Sequence, residues 1–160
     1  MAVAVAAAVM AGIDLAVQPS PSGDMAQQPV STSSVSAPAP SAAEVAMAKK
    51  NACDAWNAAS AAMVSARQPF INAPASWDDP TTVNALAQAQ SGILTQVAYL
   101  RQRVPAGTPR EVAGPINDYI AANIDLVALD GQHQSAAIAN AGADRGAAAA
   151  AKIRAACGIN

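Results

Sequence analysis

Two dipeptides, Asp79-Pro80 and Thr108-Pro109, constrain this chain more than any other feature. Each sets a capping side chain directly before a proline, and proline suits the first position of a helix, where an N–H would find no partner. Deeper in a helix it removes a hydrogen bond and clashes with the preceding turn. Both dipeptides therefore read as helix starts. Ser41 with Glu44 three residues on is a capping box and gives another. Gly158 lies where a helix would end. Residues 41–160 are cut into pieces of helical length.

Each piece carries helical periodicity. The first presents Val45, Ala52, Trp56, Ala59, Met63 and Ala66 on one face until Pro69 ends or kinks it. The second aligns Val83, Leu86, Gln90, Ile93, Val97, Leu100 and Val104 in a near-heptad seam stopped by Pro105. The third starts at Thr108-Pro109 with Glu111 behind it, and Pro115 is expected to kink it or to mark its true start. Its inward face is Val112, Ile116, Tyr119, Ile120, Ile124 and Val127, with a C-cap expected at Asp130-Gly131. The fourth, over roughly 134–156, repeats Ile138, Gly142, Gly146, Ala150 and Ile153, small side chains that let a neighbouring backbone come close. The alternative is a third helix that continues through Gly131 to about Ala139.

Composition excludes the competing fold classes. With 44 alanines and five aromatic residues, the chain lacks the side chains that fill a sandwich or barrel. The expected fold is all-α, an up-down-up-down four-helix bundle. Nine basic against eleven acidic residues give no electrostatic footprint for nucleic acid.

Two segments precede the bundle. Residues 1–17 form an apolar alanine- and valine-rich run broken by Gly12 and Asp14. As a helix it would span about 26 Å, the lower edge of a bilayer crossing. It reads as a signal-anchor-like helix, although no Lys or Arg precedes it and Asp14 is unfavourable near a bilayer centre. The competing reading is an alanine-rich helix that lies on the body. Residues 18–40 hold five of the eleven prolines among Ser, Thr, Gln and Ala. Such a segment cannot bury enough apolar surface to offset its chain entropy, and reads as a linker reaching up to roughly 70 Å.

Cys53 lies in the first helix and Cys157 at the end of the fourth. In an up-down-up-down bundle those places share one end, so a single bridge can close nearly the whole domain. A bridge would imply an oxidising compartment. Two buried thiols acting as small hydrophobes are the alternative. The residues before Cys53, 41–52, are then expected to project past the bridge.

Few residues suggest chemistry. His133 is the only histidine, beside the Asp130-Gly131 turn, and no nucleophile or carboxylate is spaced to work with it. No metal-ligand spacing occurs. Arg67 and Gln90 are the only inward polar candidates, too few for an all-α enzyme of the secreted chorismate-mutase sort that holds an anionic substrate on arginines. No catalytic residue and no cofactor is expected. Trp77 and Asp78, in the longer loop after the first helix, form a candidate contact surface, because aromatic anchors dominate interface energetics. Arg101, Arg103 and Arg110, near Lys49 and Lys50 at the opposite end, form a second, able to meet lipid head groups or an acidic partner. Helix C-termini attract cations without any function. Tyr99 and Tyr119 are candidates for a pocket between helices, against the ordinary role of tyrosines at a core rim.

The motifs Cys53-Asp54-Ala55-Trp56, Asp78-Asp79-Pro80 and Ile153-Arg154-Ala155-Ala156-Cys157, together with the architecture, resemble a group of actinobacterial, chiefly mycobacterial, proteins. These are small alanine- and proline-rich chains with an N-terminal membrane anchor, a Pro/Ser linker and a two-cysteine helical domain. The resemblance implies an envelope location and no particular activity. A weaker similarity, in size, helicity and paired cysteines, is to mycobacterial secreted haem-binding proteins, and would imply haem transport. The expected function is a membrane-tethered or secreted, non-enzymatic interaction module of the cell envelope with a protein partner. The alternative is a carrier of a small apolar ligand or haem between its helices.

Overall fold

A computed structural model describes residues 39–159, so the apolar run and nearly all of the linker lie outside the described residues. Four helices follow in order: α1 (Ala42–Ile71), α2 (Pro80–Arg103), α3 (Arg110–Gly131) and α4 (Ala136–Cys157). No strand occurs among the described residues.

The starts of α1 and α2 are those that the sequence marks. The Ser41 N–H donates to Glu44 Oε2 at 2.7 Å, and the Glu44 N–H donates to Ser41 Oγ at 3.3 Å, closing the capping box. Glu44 Oε2 accepts from the Ser41 N–H and also from its hydroxyl, at 2.7 Å, and these two bonds hold the Glu44 carboxyl below its ordinary pKa. Asp79 Oδ1 accepts from the N–H groups of Thr81 and Thr82 at 2.7 and 3.4 Å, and the Thr81 bond lowers its pKa in the same way. Pro69 and Pro115 sit inside α1 and α3 and end neither helix. Each leaves the carbonyl four residues earlier without its helical donor. Those carbonyls belong to exposed residues, Ser65 and Glu111.

Three local expectations are corrected. Thr108 does not cap α3: its N–H donates to the Pro105 carbonyl in a turn, and the helix opens on the Pro109 carbonyl instead. Asp130-Gly131 does not end α3 as a cap; both residues stay helical, and the left-handed residue is His133, at φ 53°. Around His133, the N–H groups of residues 133 and 134 donate to the Asp130 and Leu129 carbonyls, the 5→2 and 6→1 pair of a Schellman ending. Gly131 is helical and needs no special conformation; a Cβ there would stand 2.7 Å from Gln90 Nε2, so a larger residue would have to displace the end of that side chain. The register also slips at two helix starts, where Val83 and Ile138 are 51% and 46% exposed. At those turns Thr82, Ala85 and Ala139 face the core instead. The ending of α4 follows expectation, with Gly158 left-handed at φ 68°.

The helices form two hairpins. α1 packs along α2 and α3 along α4, α2 and α3 join the hairpins, and α1 and α4 scarcely touch. Ile93, Leu100, Val112, Ile116 and Ile153 are the largest fully enclosed side chains. α2 lies close against α1 at Gly92, where a Cβ would stand 2.5 Å from Ala66 Cβ. At one end Cys53 and Cys157 form a disulfide across 104 residues of sequence, with Cα atoms 5.9 Å apart. Such a bridge belongs to an oxidising compartment. The segment projecting beyond it is shorter than expected: Ala52 is fully buried, and Val45, Ala48 and Lys49 are half-covered.

Candidate functional site

The disulfide ties α1 to α4 at one level, and above it the two helices part. The gap is a trough of about 530 Å³. One wall is α1 at Asn57, Ser60 and Val64; the other is α4 at Gly142, Gly146 and Ala150. α3 supplies the floor through Tyr119 and Leu126. The small α4 side chains do bring a helix close, as their spacing implies, but that helix is α3: a Cβ on Gly142 would meet Leu129 Cδ1 at 3.0 Å. Toward α1 the same stripe leaves space.

Two aromatic side chains line this trough. Trp56 and Tyr119 meet edge to face, ring centroids 5.9 Å apart at 79°. Trp56 is only 3% exposed, yet its Nε1 finds no acceptor among the described residues. Burial raises the Tyr119 hydroxyl above the ordinary tyrosine pKa, against a smaller opposing effect from Asn123. Among the described residues, Arg154 is the only charged one lining the trough.

A second cavity, about 490 Å³, lies at the other end of the α1–α4 seam, under the α1–α2 loop. Trp77 closes it from outside, stacked on His133 at 4.2 Å with the rings 5° from parallel and 6.0 Å from Phe70. Thr82 Oγ1 donates to the Pro74 carbonyl at 2.7 Å and pins the loop. Inside, Arg67 Nη2 bonds Asp130 Oδ2 at 3.0 Å, with side-chain exposures of 18% and 7%. Gln90 Nε2 donates to the Val127 carbonyl at 3.2 Å. Arg67 and Gln90, the inward polar residues of the sequence reading, thus hold α1 and α2 to the last turns of α3.

The remaining candidates are spread apart. Trp77 is 38% exposed and Asp78 is exposed beside it. Arg101, Arg103 and Arg110 are exposed around the α2–α3 connection, at the opposite end. Arg103 lies over the Tyr99 ring at 5.5 Å, a cation–π contact that gives it a structural task. Tyr99 and Tyr119 do not share a cavity: Tyr119 lines the trough and Tyr99 does not. His133 lines the other cavity, so among the described residues it and Tyr119 stand at different places. No group of His, Cys, Asp and Glu among the described residues is arranged to hold a metal ion. No described helix is long and apolar enough to cross a membrane.

Of the two tyrosines expected at a pocket between helices, Tyr119 lines the trough, but its place between α1 and α4 arises from a non-contact that no periodicity announces. Trp56 was visible only as a core residue. Compared with protein-family models, curated proteins and solved structures, the chain matches none of them.

Proposed function

We propose that this protein is a non-enzymatic binding module working outside the cytoplasm, secreted or held at the membrane by residues 1–17, and that the α1–α4 trough carries an apolar guest. The observation behind this reading is the open seam. Helices that serve only as a spacer bury their facing stripes against each other at close packing. Here α1 and α4 are bridged at one end, and the space above has alanine and glycine on its α4 wall, Asn57, Ser60 and Val64 on its α1 wall, and two buried aromatic rings beside them. Its size lies within the roughly 300–1,000 Å³ of small-molecule sites, and such sites are mostly apolar with few polar groups. The disulfide and the resemblance to anchored actinobacterial envelope proteins support the location.

Native mass spectrometry of protein recovered from its own envelope fraction, with thiols blocked at lysis, tests this reading. The expected spectrum shows a chain two hydrogens lighter than its reduced form, with a retained apolar molecule. Ligand-free protein that takes up no added lipid or haem would remove the carrier reading. Recovery from the cytosol with both cysteines alkylated would remove the location.

A second reading, contact with a protein partner of the envelope, is favoured by Trp77, exposed next to the exposed Ile71. It predicts that Trp77→Ala abolishes crosslinking to that partner while leaving the helical spectrum unchanged. Crosslinking that survives the substitution would exclude this surface.

A further inference from the structure

We propose that the disulfide end of the bundle docks end-on against an anionic lipid surface, through a belt of cations that encircles it. This rests on the membrane location proposed above and names the surface by which the bundle meets the membrane. All nine Lys and Arg of the chain lie in the four helices, and seven of them stand near the level of the bridge. Lys49 and Lys50 precede Cys53 by four and three residues, and Lys152 and Arg154 precede Cys157 by five and three. At the rise of a helix, these four are within about 8 Å of the bridge along the axis. Arg101 and Arg103 occupy the last turn of α2, and Arg110 opens α3. Four carboxylates, those of Glu44, Asp54, Glu111 and Asp118, share this half, so seven cations against four anions leave it a net charge of +3. The far half sets Arg67 and Arg145 against five carboxylates, a net charge of −3. The bundle is thus polarised along its axis.

Pairing follows the same division. Both arginines of the far half face a carboxylate, whereas near the bridge only Lys50 does, among the described residues. All of the belt is exposed except Lys49, which is half-covered. Attraction to helix C-termini accounts for Arg101, Arg103 and Arg154, but not for the whole belt. Arg110 stands at a helix N-terminus, where the dipole opposes a cation, and Lys49 and Lys50 lie more than a turn from either end of α1. The seven cations are shared among all four helices, so a protein packed on one side of the bundle would meet only some of them. A plane across the end meets them together. Below the belt projects the start of α1, where Met47 is 65% exposed and can enter the head-group layer. The chain also enters the bundle at this end, through Ser41. Attraction between exposed charges fades beyond a Debye length, about 10 Å at 0.1 M salt. Asp144 of the far half stands thirteen residues before Cys157, about 20 Å along the axis, so its repulsion is screened.

The test uses the full disulfide-bonded chain and vesicles of phosphatidylcholine, alone or with phosphatidylglycerol as one lipid in three. Residues 1–38 hold no Lys or Arg, so a response to lipid charge reports the bundle. Expected is partitioning about 100-fold stronger onto the charged vesicles, as three net charges near the surface give, and a gain that shrinks as salt rises. The triple variant Arg101→Gln, Arg110→Gln, Lys152→Gln removes three exposed cations and brings the end to zero net charge. It keeps the helical spectrum and falls to the level measured on pure phosphatidylcholine. Asp144→Asn, in the far half, leaves partitioning unchanged at about 0.1 M salt. On charged vesicles amide exchange slows at residues 104–109 and not at residues 73–79. Equal partitioning onto both vesicles, or a triple variant that keeps the preference, overturns the belt and leaves membrane attachment by residues 1–17 standing. Partitioning onto neither overturns both. Tighter binding of the Asp144→Asn variant, or protection of residues 73–79 instead, overturns the placement at the disulfide end.

Discussion

Opening the Cys53–Cys157 bridge gives the sharpest test of how this domain is held together. A cross-link over 104 residues of sequence removes loop-closure entropy from the unfolded chain. The chain-entropy relation gives about 16 cal/mol/K for a loop of that length, or about 4.7 kcal/mol at 25 °C. Bridges usually deliver less, about 2–4 kcal/mol. Residues 39–159 would unfold with an entropy of roughly 250 cal/mol/K, at about 2.1 cal/mol/K per residue. The double variant Cys53→Ser, Cys157→Ser should therefore melt about 8–19 °C lower than the oxidised protein. Thermal scans by circular dichroism, with urea titrations alongside, measure both quantities. If the effect lies in the unfolded state, the urea slope rises in the variant, because an uncrosslinked chain exposes more surface. A melting point within about 3 °C of the oxidised protein, with an unchanged slope, would refute the argument.

Three further substitutions or conditions probe separate parts of the fold. Asp130→Asn leaves the Arg67 guanidinium enclosed without its counter-charge and should destabilise by roughly 3 kcal/mol in urea denaturation, while the apolar pair Arg67→Met, Asp130→Leu recovers most of that loss. Gly92→Ala gains helix propensity of about 1 kcal/mol but drives a methyl into Ala66 Cβ on the facing helix, so a net loss of about 1–2 kcal/mol is expected; a gain would show that α1 and α2 can part there freely. Glu44 and Asp79 have folded pKa values below their ordinary ones, so their contribution is complete above the unfolded values and fades as pH falls through the folded ones. Protection of the first-turn amides of α1 and α2, taken as intrinsic over observed exchange rate at each pH, should fall from roughly pH 5 down to pH 2, and protection that is flat over that range would contradict the capping geometry.

Legibility in the sequence followed the range of the interaction that fixes each feature. Ser41, Asp79 and Gly158 act on backbone within three residues of themselves, and helix ends built on them are readable from the chain. The cysteine pairing was readable because topology alone brings Cys53 and Cys157 to one end. Asp130 and Gly131 look like a helix ending because such residues often are one, but their neighbours Arg67 and Gln90 come from other helices and give both a different task. Val83 and Ile138 mark where a stripe of apolar residues fails as a guide, since the first turn of a helix can escape the core and leave small residues to fill it. The stack of Trp77 on His133 joins two loops 56 positions apart, and no periodicity announces it. Trp77 and Tyr119 were visible as candidates, but the trough itself depends on an angle between helices.

The position of the bridge also decides where tension would run. A pull on Ser41 from the linker side enters α1, reaches Cys53 after twelve residues and crosses directly to Cys157, two positions from Ile159. Everything between the cysteines, including α2, α3 and the seam with its trough, lies off that path. Stretched between its ends, the oxidised domain can lengthen only by unwinding the first turns of α1 and the last few residues of the chain. Force applied through Ser41 and Ile159 thus bypasses the trough.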